Sequence, residues 1–234
     1  GRAMRTIPEG DFPGAEKHGE AALELGQRTH GEPVEGVYGI QMFTIRREQG
    51  RLAEVAPVIK LLLDISTDQS TWKPGFALIA SELGHMGPAQ RMLDELAEND
   101  FTIPVDAKRS TTLAYLAEVC SAVEDQACAE RLYSLLGAYG GKTITAGVTT
   151  VCLGAAERYM GLLMTVLEQW QTAERHFELA LELDQRMSAL PWLAHSQHDY
   201  ALMLRRRGGH GDGEHADHLL EQSLETAMGL NMVA

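Results

Sequence analysis

The chemically capable residues of this chain gather near its end. His195 and His198 are three positions apart, which places both imidazoles on one face of a helix. A second group follows in a glycine-rich stretch that also carries aspartates. Paired imidazoles with nearby carboxylates are the donor set of a metal site, but no third ligand is fixed by the spacing. A polar surface is the favoured interpretation, with a metal enzyme as the lesser alternative. The later group comprises His210, His215, His218, Asp212 and Asp217, and Asp199 lies between the two groups.

A glycine-rich segment at 137–143 superficially suggests a phosphate-binding loop. The pattern requires a glycine where Leu136 stands, and it follows a predicted helix, whereas a phosphate loop lies between a strand and a helix. We therefore predict an inter-repeat turn. No Ser, Cys or carboxylate stands in a recognisable nucleophile context. Glu48 beside Arg47 is interpreted as a helix-end surface charge. The sequence accordingly predicts no catalytic residue, no metal and no cofactor.

Composition and charge narrow the function further. The formal charge of −13 repels phosphate backbones, so nucleic acid is not expected as a partner. Cys120, Cys128 and Cys152 are odd in number and lack paired metal-binding spacing, which favours reduced thiols and a cytoplasmic location. No apolar run approaches the roughly 18 residues that span a bilayer, so no membrane association is expected.

The elements that must position these residues are helices. Gly161 is followed by Ala173 after twelve positions, Phe177 after four more and Ala180 after three more. These offsets are typical of a 34-residue helix–turn–helix repeat in which two helices meet at small residues. We predict residues 1–12 to be a flexible N-terminus, partly vector-derived, and 13–234 to be one domain. After an opening helix at 16–28, the predicted helix pairs are 37–49 with 52–65, 76–83 with 88–96, 106–123 with 126–138, 149–169 with 171–187, and 193–207 with 212–230.

With Gly161, Ala173, Phe177 and Ala180 in place, the chain resembles the tetratricopeptide-like superfamily. Segments 41–52 (QMFTIRREQGRL), 173–178 (AERHFE) and 191–195 (PWLAH) are similar to the C-terminal helical regions of bacterial multidomain regulators. In those regulators, a nucleotide-cyclase or DNA-binding domain is joined to a signal-transduction ATPase. The resemblance implies an all-α, right-handed superhelical array of about five antiparallel helix pairs that senses a ligand or partner.

Repeat register nominates the residues of the ligand groove. The first helix of each pair lines the concave side of such an array, and positions two, five, nine and twelve of the repeat face inward. The polar residues at these positions are Thr44, Arg47, Thr111, Glu118, Arg158, Thr165, His195, His198 and Arg205. We expect them to bind a protein or peptide segment, or a small effector.

The leading hypothesis is therefore a non-catalytic regulatory module that docks a partner and is the sensor region of a larger bacterial signalling or transcription regulator. A static scaffold or homodimerisation module is the alternative. In that case Met228, Leu230 and Met232 would form an apolar dimer face.

Overall fold

The computed structural model describes residues 6–28, 34–65, 72–101, 108–146 and 151–232. This part of the chain contains eleven α-helices and one two-stranded sheet, so the expected all-α class is confirmed apart from the sheet. The helices are α1 (Phe12–Arg28), α2 (Val34–Glu48), α3 (Leu52–Ile65), α4 (Lys73–Glu82), α5 (Met86–Ala97), α6 (Arg109–Val123), α7 (Gln126–Leu136), α8 (Ala156–Val166), α9 (Trp170–Arg186), α10 (Leu190–Arg207) and α11 (Asp212–Gly229), and the strands are β1 (Thr143–Ala146) and β2 (Val151–Ala155).

Helix boundaries fall at residues with suitable chemistry. Asp125 caps α7 because its side chain accepts a hydrogen bond from the backbone N–H of Cys128 at 2.9 Å. Pro191 lies in the first turn of α10, where its missing N–H costs no helical hydrogen bond. Gly208 ends α10 with φ at 65°, a left-handed conformation that glycine adopts without a steric penalty.

Helices that follow one another along the chain pack on one another. After α1, they form five consecutive pairs from α2–α3 to α10–α11, and the second helix of each pair also contacts the first helix of the next. First helices contact each other directly in the series α4, α6, α8 and α10. The five predicted pairs are therefore present, with helix ends shifted by a few residues in most of them.

The fourth pair differs most from its prediction. A helix was expected from Thr149, a position outside the described residues, but Val151–Ala155 forms β2 and α8 begins only at Ala156. Antiparallel pairing of β2 with β1 supplies hydrogen bonds that a helix would otherwise make internally. The predicted inter-repeat turn at 137–143 is therefore followed by β1, one strand of a two-stranded antiparallel sheet.

The repeat signature corresponds to a close contact between α8 and α9. A methyl group added at Gly161 would lie 3.0 Å from the Phe177 ring, so only glycine allows this approach without a shift of the ring. Ala173, Phe177 and Ala180 are fully buried. The spacing therefore identified the residues at which these two helices meet.

The N-terminal segment packs against the other end of the chain. Ile7 is fully buried, and the carbonyl of Pro8 accepts a hydrogen bond from Leu190 N–H at 3.0 Å. Gly10 lies against Leu230, since a Cβ added there would meet that side chain. Residues 6–12, expected to belong to a flexible N-terminus, thus contribute to the folded body and connect α10 to the start of the array.

All three cysteines are free thiols: Cys120 and Cys128 are buried and Cys152 is partly buried. Burial raises the pKa of each, that of Cys128 to about 12, so the thiolate form is rare near neutral pH. Within the described ranges, no helix is long and apolar enough to cross a membrane.

Candidate functional site

Charged side chains from the first helix of every pair meet in one interior cluster. We call this cluster the charged network. Its interactions link α2 to both α4 and α6, α6 to α8 and α8 to α10, and they also join α10 back to α2. Its members are Arg47 and Glu48 on α2, Glu82 on α4, Glu118 on α6, Arg158 on α8, and His195, His198 and Asp199 on α10.

Glu118 is the centre of the charged network. Its Oε1 atom accepts hydrogen bonds from Arg47 Nη2 at 2.9 Å and from Arg158 Nη1 at 2.7 Å. Arg47 Nε also donates to Glu82 Oε1 at 2.6 Å. The Glu118 carboxylate thereby connects α2, α6 and α8 through the two guanidinium groups, and Glu82 adds α4 through Arg47.

Asp199 extends the charged network to α10. Its Oδ2 atom accepts a hydrogen bond from Arg158 Nε at 2.7 Å, and its Oδ1 atom lies 3.1 Å from His198 Nδ1. Arg158 is 5% exposed. His198 is exposed and lies at the surface of the charged network.

A second contact with α10 brings the two ends of the array together. His195 Nε2 lies 2.8 Å from Glu48 Oε2, although these residues are 147 positions apart in the sequence. Glu48 is 3% exposed, so its interpretation as a surface helix-end charge was wrong. The carboxylate points into the array, where an imidazole from the last pair can reach it.

Burial and neighbouring charges act in opposite directions on these carboxyl groups. Burial favours the protonated form of Asp199 and Glu118, but the adjacent guanidinium groups outweigh it. The pKa of Asp199 falls to about 2 and the pKa of Glu118 is lowered as well. Both are therefore ionised near neutral pH and are poorly suited to donate a proton.

Glu82 behaves differently because it is bonded to a single guanidinium group at the edge of the charged network. Burial outweighs the attraction of Arg47 and raises the pKa of Glu82. For Glu48, the charges of His195 and Arg47 outweigh burial and lower its pKa. The edge of the charged network is thus easier to protonate than its centre.

The charged network carries more acid than base. Four carboxylates face two guanidinium groups, so the ionised charged network is net negative when its two histidines are neutral. The Oε2 atom of Glu118 is buried and has no hydrogen-bond partner among the described residues. Such an arrangement attracts a hydrogen-bond-donating cation rather than an anion.

Of the nine predicted groove residues, five belong to the charged network: Arg47, Glu118, Arg158, His195 and His198. The others are engaged elsewhere. Thr44 and Thr165 donate to carbonyls of their own helices, those of Ile40 and Gly161, and Thr111 donates to Thr145 O in β1. Arg205 pairs with Asp217 at the surface.

The structure adds Glu48, Glu82 and Asp199, which were missing from the predicted groove. Asp199 follows His198 directly, and Glu48 follows Arg47, so each lies beside a predicted stripe position. Residues beside a stripe are rotated by about 100° around a helix axis. If acidic residues next to inward-facing cationic residues had been included in the predicted groove, Glu48 would have been identified.

The remaining candidates for chemistry are separate from the charged network. His215 packs edge-on against the Tyr200 ring at 5.2 Å. No group of three or more His, Cys, Asp or Glu residues in the described ranges could hold a metal ion. The 137–143 segment contains the 3₁₀ turn Gly137–Tyr139 and the first residue of β1, and it follows helix α7.

Two of the three residues expected to form a dimer face are partly covered. Leu230 and Met232 are half-buried and pack against the main core, whereas Met228 is 68% exposed. Leu224, one turn before Met228 on α11, is also exposed. The exposed apolar surface of α11 is therefore shifted from the predicted one.

No family model, curated protein or solved structure matches the chain in comparisons with known proteins. The resemblance to tetratricopeptide-like proteins therefore stays a prediction from the sequence pattern.

Proposed function

We propose that this chain is a non-catalytic, TPR-like interaction module that binds a cationic partner segment or a small basic effector at the charged network. The observation that carries the proposal is the imbalance of four carboxylates against two guanidinium groups in one connected interior cluster. A lysine or arginine side chain from a partner would compensate that charge.

The order of helix contacts supports the TPR-like part of the proposal. Each helix packs on its sequence neighbours, and the small residue Gly161 meets Phe177 as the repeat pattern requires. In such an array, the first helices line the binding side. The right-handed superhelical path is part of this proposal.

The position of the charged network supports a regulatory role. A bound cation would act on ion pairs that connect the first helices of all five pairs, so it could shift their relative positions together. We propose that the module passes this change to other domains of a larger cytoplasmic bacterial regulator of signalling or transcription.

Access to the charged network is through its edge. Glu82, His195 and His198 are partly exposed, whereas Glu118 and Arg158 are buried. A partner side chain would therefore reach Glu82 first. Removing that carboxylate tests the site with little risk to the fold, because Glu82 pairs with a single partner, Arg47.

Fluorescence anisotropy with labelled peptides that fix Arg, Lys, Ala or Glu at one position would test the proposal. We expect Arg and Lys peptides to bind best and Glu82→Gln to weaken them about tenfold, because hydrogen bonds to charged groups contribute about 1.5–3 kcal/mol. Glu225→Gln on α11 is the matched control and should leave affinity unchanged. Equal binding of Arg and Glu peptides, or no effect of Glu82→Gln, would contradict the proposal.

A homodimerisation module remains the second candidate, and the exposed pair Leu224 and Met228 favours it. Light scattering at several protein concentrations would reveal a dimer. Replacing both residues by serine should then restore a monomer, and a monomeric wild type would remove this candidate.

A further inference from the structure

A cleft separate from the charged network lies between the turn before β1 and helix α9. Its volume is about 260 Å³. Leu179 and Leu183 give it an aliphatic wall, Glu182 and Arg186 supply opposite charges at its surface, and Gly141 and Glu157 complete the lining. None of these residues belongs to the charged network.

Glu157 is the residue that makes this cleft unusual. It is 4% exposed, and its Oε1 atom accepts a hydrogen bond from Gly141 N–H. Its Oε2 atom is buried and has no hydrogen-bond partner in the described parts of the chain. A buried polar atom without a partner costs about 1–3 kcal/mol, more when it is charged, so a donor brought to this carboxylate would be favoured.

The lining specifies the chemistry of a matching ligand. An ammonium group fits Glu157, and Glu182 adds negative charge beside it. Arg186 can pair with a carboxylate, since a guanidinium group binds carboxylates through two parallel hydrogen bonds. The side chains of Leu179 and Leu183 suit an aliphatic side chain that extends from the carbon carrying both charged groups.

We propose that this cleft binds a small aliphatic zwitterion, that is, a free α-amino acid with an aliphatic side chain. Glu157 receives the ammonium group, Arg186 receives the carboxylate, and Leu179 and Leu183 contact the side chain. The cleft would give the module a small-molecule input separate from the charged network, and the proposal does not depend on the function assigned to that network.

Isothermal titration of the full chain with three probes tests the site. L-Leucine carries both charges, 3-methylbutylamine carries the ammonium group alone, and 4-methylpentanoate carries the carboxylate alone. We expect L-leucine to bind most tightly, the amine to bind more weakly and the acid to bind least, because the cleft has two carboxylates and one guanidinium group.

Variants connect the binding to named residues. Glu157→Gln should weaken L-leucine binding at least tenfold, and Arg186→Gln should remove the preference for L-leucine over the amine. Arg186 is exposed, so its variant keeps the test valid if Glu157→Gln fails to fold. Glu178→Gln is the control, because Glu178 lies on α9 with Arg186 but outside the cleft. This variant should bind L-leucine as the wild type does.

Three results would overturn the proposal. They are no heat of binding with L-leucine, a preference for 4-methylpentanoate over the amine, and unchanged L-leucine affinity in a folded Glu157→Gln or Arg186→Gln variant.

Discussion

Replacing Arg158 by methionine should destabilise the fold strongly. The guanidinium group holds Glu118 and Asp199 together, and all three side chains are nearly buried. Methionine preserves much of the side-chain volume but leaves the two carboxylates with one fewer cation. Breaking a buried ion pair by removing one partner costs about 3–5 kcal/mol.

The lowered pKa of Asp199 indicates the order of magnitude of part of this cost. It lies at about 2, compared with an ordinary value of 3.8, with burial opposing and Arg158 as the main cause of the depression. Because one pKa unit corresponds to about 1.4 kcal/mol, the interactions of ionised Asp199 contribute on the order of 2 kcal/mol. Glu118 loses one of its two cations as well, so a total above about 3 kcal/mol is expected.

Urea unfolding of the wild type and Arg158→Met at neutral pH measures the difference in free energy of unfolding. Arg131→Met is the control, since Arg131 forms an exposed ion pair with Asp100, and such pairs contribute about 0–1 kcal/mol. A loss below about 1 kcal/mol in Arg158→Met would refute the view that these carboxylates depend on Arg158.

The free energy of unfolding should depend on pH in a defined direction. A carboxyl group with a depressed pKa in the folded state stabilises the fold above its unfolded pKa, and that contribution disappears as the pH falls toward the folded pKa. For Asp199, the window runs from about 4 down to about 2. The difference between wild type and Arg158→Met should therefore shrink below about pH 4, and a constant difference would contradict the assignment.

Two further predictions concern groups outside the charged network. Gly154→Ala should lower the melting temperature more than Gly84→Ala. Both glycines have positive φ, but only at Gly154 would the new Cβ meet the Trp192 side chain, at 2.6 Å. Equal decreases in melting temperature would exclude that contact as the cause. Burial raises the pKa of Asp184 from 3.8 to about 6, so its ionisation should reduce wild-type stability as the pH rises from about 4 to 6. In urea unfolding, Asp184→Asn should gain stability relative to the wild type across that window, and a gain that is independent of pH would be inconsistent with this titration.

The sequence predicted the helices better than the segment between the third and fourth pairs. Helical periodicity is repeated over several turns, whereas the alternating pattern of β1 covers only four residues. The glycines beside β1 indicated a turn instead of a strand. Its alternation of Thr143, Ile144 and Thr145 matches the alternating burial of the strand. β2 was not predicted because its apolar residues continue directly into α8, and periodicity alone cannot distinguish a short buried strand from a helix.

Part of the charged network could be predicted from the sequence because repeat register determines which side of a helix a residue faces. Repeat register places Arg47, Glu118 and Arg158 on the same side of their helices, and their long side chains can then meet. Register within a repeat says nothing about contacts between the first and last pairs, so the contact of His195 with Glu48 could not be predicted. That contact depends on the packing of the intervening helices, which brings α10 to α2.

The apolar core and the charged network occupy different parts of this fold. The second helix of each pair packs on the first helix of the next, and most of the buried apolar residues form one continuous core cluster. A buried ion pair is often no more stabilising than apolar residues of the same volume, because its charges lose their hydration. The charged network is therefore a weak means of stabilising the array, and under the proposed function it would respond to an added charge. A cation bound at Glu82 would change interactions that reach from α2 to α10 while leaving the apolar contacts between pairs in place, and this separation favours a module that responds to its ligand over a static scaffold.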